Sequence, residues 1–133
     1  MTVVVLSPHT DDAAFSIGGH LCSLDSKIVV SPMAAIPADP AGKAKHETLR
    51  AEHAKAMEIV DADFVNGPFL DDVYPPPNPS IFVAWLSLQL AAADVVYVPV
   101  GIHHPDHLLV SNTAIAYLML LERPTVRFYA ELP

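Results

Sequence analysis

Cysteine is almost missing from this 133-residue chain, where Cys22 stands alone. That excludes an intramolecular disulfide and any zinc site built mainly of thiolates, and it fits a reducing compartment. Positive charge is scarce as well: seven Lys and Arg face fifteen Asp and Glu, for a formal charge of −8. The basic residues form no run, so a polyanion would be repelled and nucleic acid is not an expected partner. Long apolar runs are also lacking. No stretch approaches the ~20 residues of a membrane span, and residues 1–6 have no basic flank of the kind a signal peptide carries. The expectation is an acidic cytoplasmic protein with no membrane span.

Hydrophobic residues make up 52% of the chain and charged ones 17%, a balance that supports a packed core. The length suits a single domain over 1–133. Apolar runs at 2–6, 27–33, 63–65, 95–99 and 126–129 lack period-2 alternation, as strands buried on both faces of a mostly parallel sheet do. Between them, Ala14, Ile17, Leu21 and Leu24 repeat at helical spacing, as do Leu49, His53, Ala56 and Val60, and then Ile81, Trp85, Leu88 and Ala92. Asn78 and Pro79 form an N-cap and first helical position for the third of these helices. A last helix over 107–121 is apolar almost all round and is expected to be buried on several sides, under further chain or a partner subunit. The connections 31–43 and 68–79 are too proline-dense for regular structure. This β-α-β-α order predicts a three-layer α/β/α fold. Its ligands bind beyond the carboxyl ends of the strands.

Two of those strand ends are loaded with metal-ligand chemistry. Ser7-Pro8-His9-Thr10-Asp11-Asp12 follows the first strand, and His103-His104-Pro105-Asp106-His107 follows the strand over 95–99. His9 and Asp12, three residues apart, can address one point, and His107 completes a nitrogen/oxygen set. Three protein ligands leave a coordination position open for water, as catalytic zinc sites do. Asp11, beside the ligand Asp12, is the natural general base. His104 is placed to stabilise an oxyanion if Asp106 keeps it oriented and protonated. Asp11 or His104 would protonate the leaving amine. Taken alone, the Asp pair is also an ordinary helix start, and one His-x-x-His is a weak metal signal. Their coincidence on two strand ends favours the site. His20, His46 and His53 read as isolated surface or core-edge histidines, and His103 as exposed. Gly18-Gly19 inside a helical pattern costs stability, which points to close backbone packing beneath the site.

Ser7-Pro8-His9-Thr10-Asp11-Asp12 with Gly18-Gly19, and His104-Pro105-Asp106-His107, resemble the two signatures of the PIG-L/LmbE-like N-acetylglucosaminyl deacetylases. Arg50 and Glu52 resemble that family's basic-acidic helix. Asp71-Asp72 falls near its substrate-contacting acidic loop, and residues 129–133 are similar to a late strand ending. The resemblance implies a Rossmann-like fold and zinc-dependent hydrolysis of an N-acyl group on an aminosugar conjugate, with ferrous iron or another divalent ion as alternatives to zinc. It implies His9, Asp12 and His107 as metal ligands, Asp11 as base, His104 at the oxyanion, and Arg50 and Asp72 on the substrate. Thr10 stands where the family usually has proline, and Ile102 where some relatives carry a catalytic tyrosine. Family members continue past residue 133, so pocket residues would come from a second subunit of a homo-oligomer or be absent. Three rivals can be named. One is an amidase for larger acyl groups on the same metal centre, and another is a catalytically silent metal-binding or assembly module. The third, a phosphoacceptor domain, needs a further Asp and a Lys at later strand ends and is disfavoured, because histidines follow the strand ending at Pro99 instead.

Overall fold

Valine-rich segments form five strands, and each crossover between them is a helix. In this computed structural model residues 1–71, 76–101 and 104–130 are described, with Phe15 as backbone alone. The order is β1 (Val3–Leu6), α1 (Asp12–Ser23), β2 (Lys27–Ser31), α2 (Pro40–Val60), β3 (Asp63–Asn66), α3 (Pro79–Leu90), β4 (Val95–Pro99), α4 (Pro105–Leu118) and β5 (Thr125–Tyr129). All neighbouring strands pair in parallel, in the order β3-β2-β1-β4-β5. Parallel pairing buries both faces of the central strands, which is why β1 reads Val-Val-Val-Leu without alternation and is buried throughout.

The helices cover the two faces separately. Leu21, Met57 and Val60 of α1 and α2 pack on Val3, Val5 and Val29. Phe82, Leu86 and Leu90 of α3 join Val110, Ala114 and Leu118 of α4 against Val4, Val96 and Val98. Each fully buried Val, Leu or Phe contributes about 1.5–3 kcal/mol of transfer free energy, so these two layers hold the sheet. The expected α/β/α sandwich is the observed one.

Two expectations need correction, and a third concerns surface that this chain does not cover by itself. The connection 31–43 is not irregular throughout, because α2 begins at Pro40. Asp39 caps it by accepting the Gly42 N–H at 2.7 Å, and Pro40 at the first position loses only an N–H that has no helical partner. The last helix, expected to need cover from further chain or a partner subunit, is covered on one side only within this chain. It buries one stripe and leaves Leu108 43% exposed, with Met119 and Leu120 beyond its end about as open as free side chains, at 79% and 83%. At Gly18 and Gly19 the position a Cβ would take has nothing within 4 Å, so no close packing requires them. The helix kinks at Ile17 just before them, and nothing among the described residues explains the pair.

The strand order reverses direction at β1. Chain leaving β1 turns toward β2 on one side, and β4 flanks it on the other, so their carboxyl ends open a crevice between them. Both ligand-rich segments leave from that crevice.

Candidate metal centre

Ser7 organises the first rim. Its hydroxyl donates to the His9 carbonyl at 2.5 Å and accepts the Ala13 N–H at 3.1 Å, folding residues 7–13 into a tight entry to α1. Within that entry the Asp12 carboxylate turns back: Oδ2 accepts the His9 backbone N–H at 2.7 Å and lies 3.5 Å from His9 Nδ1. The second rim starts at Gly101, whose φ of +79° excludes most side chains and whose Cβ position would lie 2.9 Å from Ser111 Cβ. Pro105 opens α4, and His104 before it is the N-cap, its Nδ1 accepting the Asp106 N–H at 3.1 Å. The Tyr129 hydroxyl donates to the Leu6 carbonyl at 2.6 Å, tying β5 across β4 to the end of β1.

The rims meet. His107 Nε2 is 3.1 Å from Asp12 Oδ2, and His9 Nε2 is 2.7 Å from Asp106 Oδ2. The ring centroids of His9 lie 4.7 Å from His104 and 5.2 Å from His107, and His104 stacks on His107 at 4.9 Å. Candidate ligand atoms of His9, His104 and His107 lie within 4.8 Å of one another. The structure therefore brings together His9, Asp12, His104, Asp106 and His107, with Asp11 on the cavity wall beside them.

One expected contact is corrected. Among the described residues the Asp106 carboxylate bonds His9 rather than His104, while the backbone N–H of Asp106 meets His104 Nδ1. A ring nitrogen that accepts that N–H carries no proton, so the proton of His104 sits on Nε2. His9 is the reverse case. Its Nε2 donates to Asp106, which leaves Nδ1 on the side of Asp12, 3.5 Å from Oδ2.

Electrostatics follow the same pairing. Burial opposes a charge on His9, but the Asp106 hydrogen bond and the nearby Asp12, Asp106 and Asp71 carboxylates outweigh it and raise its pKa above the ordinary 6.5. Burial would raise Asp12, yet the hydrogen bonds from His107 and from the His9 backbone, with the charges of both rings, hold it below 3.8. Both shifts mark the cluster as a place that favours positive charge. A divalent ion fits the same place. Imidazole nitrogens with a carboxylate, largely shielded from solvent, suit zinc or ferrous iron, whereas calcium and magnesium prefer oxygen alone.

A cavity of about 290 Å³ opens over this cluster, lined by His9, Thr10, Asp11 and His104 on the metal side. Lys45, His46 and Leu49 of α2, with Asp71, face them. Sequence reasoning misses His46, which is no isolated surface residue. Its Nδ1 meets the Gly42 carbonyl at 2.9 Å and its Nε2 meets Asp71 Oδ1 at 3.0 Å. Arg50 is not on the cavity wall among the described residues. Its guanidinium donates twice to the Ala34 carbonyl, at 2.9 and 2.6 Å, and so braces the loop that forms one side. His20 sits apart on α1, bonded to the Tyr97 hydroxyl at 2.8 Å. Asp72, Ile102, His103 and residues 131–133 lie outside the described residues.

No protein-family model matches the sequence, and no curated protein is similar to it. Solved structures are similar. Teicoplanin deacetylase Orf2 superposes with a TM-score of 0.86 at 18% identity in its complex with teicoplanin, and with 0.85 at 21% identity as a triple mutant. Both superpositions cover the whole chain. The N,N'-diacetylchitobiose deacetylase of Pyrococcus horikoshii gives 0.74 at 20% identity over 90% of the chain. The chain has the fold of these deacetylases. It spans 71% and 65% of the two teicoplanin deacetylase chains and 49% of the chitobiose enzyme. The same fold, at a TM-score of 0.65 and 18% identity over 92% of this chain and 57% of that one, also serves the 4-carboxy-2-hydroxymuconate hydratase GalB of Pseudomonas putida. Fold alone therefore leaves the reaction to be argued from the site.

Proposed function

We propose that the chain is a metal-dependent N-deacetylase, with zinc as the best-fitting ion, that hydrolyses an N-acetyl or short N-acyl group on a glucosamine-containing conjugate. One observation carries the reading: a single Asp12 oxygen stands 3.1 Å from His107 Nε2 and 3.5 Å from His9 Nδ1, while Asp106 holds the far nitrogen of His9 at 2.7 Å. That is a carboxylate–histidine arrangement of the kind that orients metal-bound imidazoles. His9, Asp12 and His107 would hold the ion. Bound there, the ion would supply Lewis acidity and ease deprotonation of water.

The remaining residues divide the proton work. Asp11, on the cavity wall, takes a proton as water adds to the amide carbonyl carbon. His104 offers the Nε2 proton, because its Nδ1 is committed to the helix cap, and donates a hydrogen bond to the carbonyl oxygen as charge builds there. The C–N bond then breaks, the proton held by Asp11 passes to the departing amine, and the acid is released. Arg50 would act on the substrate through the loop it braces. The cavity, near the lower end of the ~300–1,000 Å³ usual for small-molecule sites, suits one sugar unit with a short acyl group better than a long acyl chain.

The test is elemental analysis of purified protein with acetate release measured over N-acetyl sugar conjugates. His107→Ala should lose the metal; Asp11→Ala should keep it and lose turnover, by about 10²–10⁴-fold for a missing base. Bound metal with turnover only of larger amides would move the reading to an amidase. Bound metal with no turnover of any amide would make the chain a silent module.

A further inference from the structure

The buried stripe of α2 contains one residue that the proposed chemistry does not use. Leu49 lines the cavity with Thr10 and Asp11, and Met57 and Val60 two and three turns on are core residues. Between them lies His53, 3% exposed, its ring edge-on to Phe64 with centroids 5.0 Å apart. Among the described residues, neither of its ring nitrogens has a partner in full hydrogen-bond geometry. Leaving a buried polar group so costs stability, and a leucine would fill that space without the penalty. The Thr10 backbone and the charge of Asp11 both act on the ring, each favouring its protonated form against burial. Both belong to the turn that carries the metal cluster, and hydrogen bonds within such sites are often long until substrate is bound.

We propose that His53 is a positioning residue, which supports the Thr10–Asp11 turn from the core side and donates a ring N–H to the Thr10 carbonyl in the substrate complex, holding Asp11 in register. The inference rests on the reading of Asp11 as base. It explains why a polar ring is kept where packing alone would favour an aliphatic one. It also accounts for how a turn with threonine at residue 10 can stay fixed, since threonine, unlike proline, does not lock its own φ.

The test compares His53→Leu and His53→Gln with the wild-type chain, each loaded with zinc. In His53→Leu the melting temperature and the zinc content should hold or rise, KM should stay, and kcat should fall about 10–100-fold, the loss expected for a misplaced catalytic group. His53→Gln keeps a donor and should recover most of kcat. Wild-type kcat in His53→Leu would overturn the proposal, as would a loss of kcat that tracks loss of zinc or of melting temperature in both variants. A second readout is independent of turnover. Exchange of the His9 and Ala13 amides, both bonded within the turn, should quicken in His53→Leu and not in His53→Gln. Should the wild-type chain release no acetate, the deacetylase reading fails by itself, and unchanged exchange would then sink the role of His53.

Discussion

Removing the Asp106 carboxylate separates two accounts of the site. If Asp106 serves His104, its loss damages turnover and leaves the metal in place. If it serves His9, as the 2.7 Å contact indicates, its loss loosens a ligand. The magnitude follows from the geometry. The bond has the length of a charge-assisted pair, and both side chains are largely shielded, with His9 20% and Asp106 10% exposed, so solvent screens it little. Such a partner of a ligating histidine is worth about 10–100-fold in metal affinity, or roughly 1.4–2.7 kcal/mol. Asp106 also stands in the first turn of α4, where its charge on the helix dipole adds about 0.3–1 kcal/mol to folding.

Asp106→Ala should therefore bind zinc about 10–100-fold more weakly, with only a small drop in melting temperature. Asp106→Asn should fall between, since the amide oxygen still accepts the His9 Nε2 proton without the charge. Competition against a chromophoric chelator measures the affinity, and a thermal melt of the metal-free protein measures the fold. Wild-type affinity in Asp106→Ala, with kcat lost, would refute the assignment to His9 and return Asp106 to His104.

Three further outcomes can be checked. Gly101→Ala places a side chain at φ +79° and against Ser111; it should destabilise the protein by about 1 kcal/mol or more and weaken zinc binding, seen in a urea melt and the same chelator assay. His53 is held below its ordinary pKa of 6.5 by burial, against the opposing pull of Asp11 and Thr10. Its contribution to stability is therefore complete above pH 6.5 and is lost as pH falls from there through the depressed folded value, so His53→Leu should flatten urea stability across that window. His104→Ala should retain zinc, because a capping ring with its proton on Nε2 has no lone pair to give, while kcat drops about 10²–10³-fold, as for a lost oxyanion donor; stoichiometric loss of zinc would show that His104 is a ligand.

Much of the fold is legible because parallel sheets write themselves plainly. Runs without alternation, separated by helical repeats, have few other solutions, and the strand expected over 95–99 has those bounds in the structure. The start of α2 escapes sequence reasoning because Pro40 passes for a breaker. Asp39 before it carries the sign of an N-cap followed by proline, the same signal that places α3 correctly at Asn78 and Pro79. That error has a further cost. With α2 beginning at residue 40, His46 falls inside the helix on its cavity face, opposite Asp71, and an isolated histidine becomes part of the cavity wall. Nothing near residue 46 in the sequence announces a partner 25 positions away.

The site itself is legible as chemistry and only partly as geometry. Residues 9, 12, 104, 106 and 107 do converge, but which carboxylate serves which ring depends on how two rims 97 positions apart face each other, and no local spacing encodes that. The division between the two histidines of the second rim is readable, however. A residue before proline is pushed out of the helical region, and proline prefers the first helical position. His-Pro-Asp-His therefore makes His104 the cap and His107 the third residue of the helix. A cap turns its ring back on the helix and spends one nitrogen there. The third position is inside the first turn, where His107 is buried and directed at Asp12. On the proposed reading, the order of four residues would thus separate a hydrogen-bond donor from a metal ligand, with Pro105 making the distinction.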